Sequence, residues 1–283
     1  MSRCTLRVAV WFFSAAVALA VPSCEVFEAR DYRRYTCREF RTASDFTEHV
    51  PREPSSKPTV VLSARVAPVR TENPFAGLED TLRKLTFSLG TMPSSWSLLS
   101  GLHRLEELQI VHYARLRLTR DFNNLPKSLK TLFIADATLE SIEGGWISDL
   151  VNLEHLLFRG TDLASFNRNW LPSPAPRFTT LDLPTNKLTS FPVGLGDNLP
   201  ALNYVNVFKN LITTIREQDF APIRDKVVVV DMLFNPVHCD CNVSFILDYP
   251  TSWHYFVCAG PRDVKDTYAT NLHYKQLKCE GTA

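Results

Sequence analysis

Between Leu82 and Met232 one arrangement of apolar positions returns seven times. Large aliphatic or aromatic residues take the first, fourth and sixth places of each unit. The copies are Leu82/Leu85/Phe87, Leu105/Leu108/Ile110, Leu129/Leu132/Ile134, Leu153/Leu156/Phe158, Phe178/Leu181/Leu183, Leu202/Val205/Val207 and Val227/Val230/Met232. Their starts lie 23, 24, 24, 25, 24 and 25 residues apart. A second signal keeps the same phase. A bulky apolar residue stands seven or eight places before each start: Phe75, Leu98, Phe122, Trp146, Trp170, Leu195 and Phe220. Phe75 points to an earlier, degenerate unit with its strand over residues 60–66.

The pattern predicts short strands, because neighbouring strand residues face opposite ways. The aliphatic positions turn inward and the residues between them meet solvent. One unit cannot bury its own leucines. Stacked units bury each other's, which gives one elongated core with a parallel sheet along one side. An ordinary doubly wound α/β fold is disfavoured. Its crossovers need helices of ten or more residues, and the connections here hold Pro, Ser and Asn in too little chain. Asn186, Asn210 and Asn235 stand at the ninth place of the last three units. Turned inward, each is expected to hydrogen-bond backbone groups of adjacent turns. The earlier units carry Gly90, Tyr113, Ala137 and Thr161 there, so their turns are expected to close differently. Trp96, Trp146 and Trp170 fall on the opposite side of their units from the strands and are expected to fill core.

Composition narrows the function classes. The chain has 283 residues with 31 Lys+Arg against 30 Asp+Glu, and 45% are hydrophobic. That excludes global disorder and argues against nucleic acid as a partner, which needs many phosphate-neutralising cations. Arg3 and Arg7 precede an apolar run over 8–21, and Ala18-Leu19-Ala20 offers the small residues a signal peptidase requires. Residues 1–20 therefore read as a cleaved secretory signal. No later stretch is apolar over eighteen residues, and the C-terminus carries no hydrophobic tail, so no membrane anchor is expected. Six cysteines remain beyond the signal: Cys24 and Cys37 near its end, and Cys239, Cys241, Cys258 and Cys279 at the other end. An even number in an oxidising compartment implies disulfides that staple two ends around a core without staples.

The leucine spacing, together with Asn235-Pro236-Val237-His238-Cys239-Asp240-Cys241, Trp253, Cys258-Ala259-Gly260-Pro261 and Cys279, resembles the extracellular leucine-rich-repeat family. The resemblance covers nearly all of the chain after the signal. It implies an α/β repeat, a curved solenoid with a single parallel sheet on its concave face and disulfide caps. It divides the chain into the signal at 1–20, an N-terminal cap at 21–56, about eight units of roughly 24 residues at 57–234, and a cysteine-rich C-terminal cap at 235–283. It implies the pairs Cys239–Cys258 and Cys241–Cys279, where four cysteines alone permit three connectivities, and a reduced N-terminal cap around Cys24 and Cys37. Each disulfide is expected to add roughly 2–4 kcal/mol. His238 beside Cys239 and Cys241 offers zinc-ligand types, but the cap pattern assigns those thiols to disulfides, so no metal and no cofactor is expected.

Catalytic signatures are missing. There is no Gly-x-Ser-x-Gly elbow, no His-Glu-x-x-His helix, no phosphate-cradling glycine loop and no dinucleotide fingerprint. Glu106 and Glu107 are adjacent on a strand, so their side chains diverge. The chain therefore reads as a non-enzyme. Asn242-Val243-Ser244 is a glycosylation sequon.

The outward strand positions are the candidate site. The central column runs Thr86, Gln109, Phe133, Leu157, Asp182, Asn206, Asp231, with Arg159 and Phe208 in the next outward column and Tyr204 in the preceding one. Phe133 and Leu157 are expected side by side, and Tyr204, Phe208, Val229, Leu233 and Phe234 are expected to gather toward the C-terminal end. Exposed contiguous apolar surface marks interaction sites. The sequence thus points to a secreted, extracellular, non-catalytic scaffold that binds a protein on its concave face. Phe133, Leu157, Tyr204 and Phe208 serve as anchors, and Arg159, Asp182, Asn206 and Asp231 provide polar contacts. The alternatives are an accessory subunit that stabilises a secreted enzyme, as some small arthropod members of the family look to be, and recognition of lipid or glycan in innate immunity.

Overall fold

The structure is a computed structural model that describes residues 21–30, 32–40, 43–50, 59–66, 73, 75–88, 92–277 and 279. The expected signal segment, Gly90 and part of the expected N-terminal cap lie outside the described residues. The elements in chain order are β1 (Ser23–Glu28), β2 (Arg33–Phe40), α1 (Ala43–His49), β3 (Thr59–Val66), β4 (Lys84–Ser88), β5 (Glu107–Val111), β6 (Leu116–Leu118), β7 (Thr131–Ala135), β8 (Leu139–Ile142), β9 (His155–Arg159), β10 (Thr180–Asp182), β11 (Tyr204–Asn206), α2 (Glu217–Phe220) and β12 (Val229–Asp231). Ten strands form one sheet in the order β1-β2-β3-β4-β5-β7-β9-β10-β11-β12. β1 runs antiparallel to β2, and every later neighbour is parallel. From β3 onward no strand of this sheet turns back on its predecessor, so each connection crosses over to begin the next rung.

The register is unbroken from β4 to β12. Leu85, Leu108, Leu132, Leu156, Leu181, Val205 and Val230 pair rung to rung, and all seven are fully buried. Each such side chain contributes about 1.5–3 kcal/mol of burial that a lone coil could not supply. The connections on the far side are loops and short 3-10 turns such as Trp96–Leu99 and Arg168–Trp170. Here an edge-and-face chain of rings fills the coil: Phe75, Phe87, Trp96, Phe122, Trp146 and Phe158 sit 4.5–6.4 Å apart between successive centroids. Leu98 is only partly buried; Trp96 and Leu99 fill its coil instead.

From the second repeat unit to the seventh, the turn leaving the sheet strand follows one rule. His112, Asp136, Gly160, Thr185, Lys209 and Phe234 all have left-handed backbone, with φ between 49° and 61°. All six are the eighth residue of their units. The ninth residue then points back into the coil. Asn186, Asn210 and Asn235 are buried there. The Asn210 amide donates to Leu183 O and Val207 O, both at 2.9 Å, and its Oδ1 accepts Leu188 N at 3.0 Å. Asn235 likewise donates to Val207 O and accepts from Ile212 N. The Thr161 unit closes onto the next unit's asparagine, with Thr161 N and its hydroxyl both donating to Asn186 Oδ1 at 2.9 Å, whereas the Tyr113 and Ala137 units close through backbone bonds. Thr138 N donates to Tyr113 O and Leu116 N to Thr138 O, and the chain runs on into the two-stranded parallel sheet of β6 and β8. Tyr113, in the asparagine place, is buried with no hydrogen bond to its hydroxyl. Burial pushes that phenol up to about 12.

Disulfides sit at both ends. Cys24 bonds Cys37 across the β1–β2 hairpin, Cys239 bonds Cys258, and Cys241 bonds Cys279. At the C-terminal end the repeat runs one unit further than its leucines suggest. Tyr255 pairs with Asp231 as a parallel bridge, 24 residues on in the same outward column. His254 and Phe256 take the inward places and are buried. The His254 ring is accommodated because its Nε2 lies 2.7 Å from Ile246 O. Trp253 closes the coil and donates its indole N–H to Val227 O.

Candidate functional site

The outward face of the ten-stranded sheet carries three regions. At β4 and β5 the polar groups satisfy one another. The Lys84 ammonium pairs with the Glu107 carboxylate at 2.6 Å, Gln109 donates to the same carboxylate at 2.6 Å, and Thr86 donates to Gln109 at 3.2 Å. In the middle, Phe133 and Leu157 are directly paired on β7 and β9 and both are half-buried. Arg159 is exposed at the end of β9, next to Ala135, which is buried.

The C-terminal region combines acid and aromatic groups. Asp182, Asn206, Asp231 and Tyr255 stand on consecutive rungs of the central column. Asn206 ties the column together. Its amide donates to Asp182 Oδ1 at 2.7 Å, and its own oxygen accepts Phe208 N at 2.7 Å. Asp231 Oδ1 accepts Leu233 N at 3.0 Å. Burial pushes the Asp182 carboxyl above its ordinary pKa. The Asn206 hydrogen bond opposes that shift, Asp231 adds to it, and Arg159 offsets a part. Tyr204 lies on the rung between the two aspartates. Burial and then the charges of Asp182 and Asp231 raise its phenol. Phe208 meets Phe234 edge to face at 5.1 Å. Phe234 is 67% exposed and Tyr255 54%.

The eight residues singled out on this face therefore occupy one sheet surface. Phe133, Leu157 and Arg159 form its middle, and Asp182, Tyr204, Asn206, Phe208 and Asp231 form its C-terminal part. Tyr255 completes the second group and was missed by sequence reasoning. Its signal was present: the 24-residue step from Asp231 continues into the cap, hidden because His254 stands where a leucine is expected. Among the described residues no three His, Cys, Asp or Glu side chains converge to hold a metal ion. No described helix is long and apolar enough to cross a membrane. Asn242 is exposed at the start of a 3-10 turn, with Asp240 accepting from its backbone N–H.

Comparison with known proteins meets this geometry. The human 5T4 structure (Wnt-activated inhibitory factor 1, trophoblast glycoprotein) superposes with a TM-score of 0.62 at 16% identity, covering 86% of this chain and 95% of that one. The fold is that of a leucine-rich-repeat solenoid. No protein-family model matches the chain. In sequence, the leucine-rich-repeat chain is 32% identical over 149 residues to Toll-like receptor 9 of Mus musculus, which is 52% of this chain and 14% of the receptor. It is 24% identical over 131 residues to the Oplophorus-luciferin 2-monooxygenase non-catalytic subunit of Oplophorus gracilirostris, which is 46% of this chain and 36% of that subunit. The leucine-rich-repeat chain thus spans a minor part of the length of both curated relatives.

Proposed function

We propose that the protein is a secreted, non-catalytic scaffold that captures an extracellular protein on the outward face of its sheet. One observation carries this reading. Large apolar side chains stand at outward positions where the fold places no demand, from Phe133 and Leu157 to Phe208 and Phe234. Phe234 is the sharpest case. A bulky residue at φ 59° is backbone strain, and two-thirds exposure forfeits most of its burial, leaving the edge-to-face contact with Phe208 as its ring packing. Aromatic anchors among polar neighbours are the usual composition of protein interfaces. A preformed sheet also lowers the ordering cost of association. The disulfides at both ends support an oxidising compartment, and a glycan on Asn242 would keep the cap solvated.

The test is native purification of the secreted protein with mass spectrometry of what co-elutes, repeated with Phe133→Ala and Phe208→Ala. A co-eluting protein lost from both variants supports the reading; undiminished capture by both defeats it. The same spectra report the mass at Asn242. A second reading, an accessory subunit of a secreted enzyme, is favoured by the similarity to a non-catalytic subunit. Stoichiometric co-elution of an enzyme whose activity decays faster without the scaffold supports it.

A further inference from the structure

The three regions of the sheet face differ in what they leave unsatisfied, and that difference describes the occupant. At β4 and β5, cation, carboxylate, amide and hydroxyl already satisfy one another, so a partner gains little by displacing them. At β10 to β12 the balance is reversed. Among the described residues no cation lies within 4.0 Å of Asp182 or Asp231. The hydrogen bonds they accept come from neutral groups, the Asn206 amide and the Leu233 N–H. A carboxylate held by neutral donors on a partly buried surface has no opposite charge in contact with it in a medium less polar than water. Covering that surface with a neutral partner would raise the cost further. The raised Asp182 and Tyr204 groups report the same imbalance. Arg159 and Lys209 stand exposed at the rim; Arg159 offsets a part of the Asp182 charge from a distance, and neither comes within 4.0 Å of either carboxylate. Around the two carboxylates are Tyr204, Phe208, Phe234 and Tyr255, whose faces suit the flat, weakly hydrated guanidinium and the apolar stems of cationic side chains.

We propose that this C-terminal half of the sheet face docks a segment of a partner protein that carries two cationic side chains, one for Asp182 and one for Asp231, flanked by apolar side chains that cover Phe208 and Phe234. The two aspartates lie two rungs apart, so the cations sit about 10 Å apart at the sheet surface. Residues three apart in a polyproline-type stretch match that span, at about 9 Å. The inference rests on the reading of the sheet face as a protein-docking surface and adds the chemistry of the partner.

The experiment selects from a random peptide library displayed on phage, using the full secreted chain immobilised as bait. Selected phage are re-tested on Asp182→Asn/Asp231→Asn, on Phe208→Ala/Phe234→Ala and at raised salt. The expected result is enrichment of peptides with two Arg or Lys beside an aromatic or aliphatic residue. Their recovery should fall about fivefold or more on the Asn variant and again as salt shortens the screening length. Peptides lost on the Phe variant but free of cations and retained on the Asn variant overturn this inference while leaving the docking reading intact. Peptides retained on both variants overturn the docking reading as well. Sedimentation of the same samples adds one more outcome: a dimer that the Phe variant dissociates shows that a second copy covers the patch, and ends the proposal. Circular dichroism of both variants confirms that each is folded before recovery is compared.

Discussion

Asn210→Ala tests how the coils are held together, and its cost follows from which partners it strands. Asn210 donates to Leu183 O and Val207 O and accepts from Leu188 N. The two carbonyls are shared. Leu183 O also accepts from the Asn186 amide, and Val207 O from the Asn235 amide. Deleting the Asn210 side chain therefore leaves both carbonyls a donor and strands only the Leu188 N–H. An orphaned buried N–H costs about 1–3 kcal/mol, and the two lost bonds about 0.5–1.5 kcal/mol each. The expected loss is about 3 kcal/mol, measured by urea unfolding followed by far-ultraviolet circular dichroism. Asn186→Ala/Asn210→Ala removes both donors to Leu183 O, so the pair is expected to cost more than the sum of the single changes. A single change costing under about 1 kcal/mol, or a strictly additive pair, would refute the shared-carbonyl ladder as the device that joins these coils.

Three further outcomes follow from the same structure. Cys241→Ser/Cys279→Ser opens a link across 38 residues and is expected to cost about 2–4 kcal/mol in the same melt; no change would mean the cap is held by Trp253 and Phe256 alone. Phe234→Gly relieves a left-handed bulky residue, worth about 1–2 kcal/mol, but loses the Phe208 ring contact and adds glycine entropy of comparable size. Its stability is therefore expected within about 1 kcal/mol of the parent while partner capture falls; intact capture would remove Phe234 from the interface. For Asp182, burial raises the folded pKa above the ordinary 3.8. The folded chain then holds the proton more tightly than the unfolded chain. The stability this lends is complete below 3.8 and is lost as pH rises through the raised value. Asp182→Asn is accordingly expected to be more stable than the parent near about pH 7 and level with it near about pH 3. A deficit at neutral pH would mean that the carboxylate is stabilised where it stands.

The repeat made the fold legible before any coordinates. A strand has a period of two and each coil a period near 24, so Leu85, Leu108, Leu132, Leu156 and Leu181 could be assigned to one buried column from spacing alone. The same spacing placed Phe133 beside Leu157 and Tyr204 beside Val229. Asn186, Asn210 and Asn235 were readable as a ladder because an inward amide at a turn has few other ways to satisfy its four hydrogen-bonding positions. Leu98 keeps the period yet is only partly buried, because Trp96 and Leu99 take the hole, and volume rather than period settles which side chain fills it.

What the sequence determined by itself is the periodic part: eight parallel rungs, their facing residues and the column each side chain joins. A stacked repeat contacts its nearest neighbours, so local spacing carries that information. The tertiary structure decided the rest, which depends on groups far apart in sequence. It extended the central column to Tyr255 through the cap, put Phe234 on a left-handed turn, and left Asp182 and Asp231 with neutral hydrogen-bond partners. Charge balance and exposure on a surface are sums over every neighbour in space, and no repeat period encodes them.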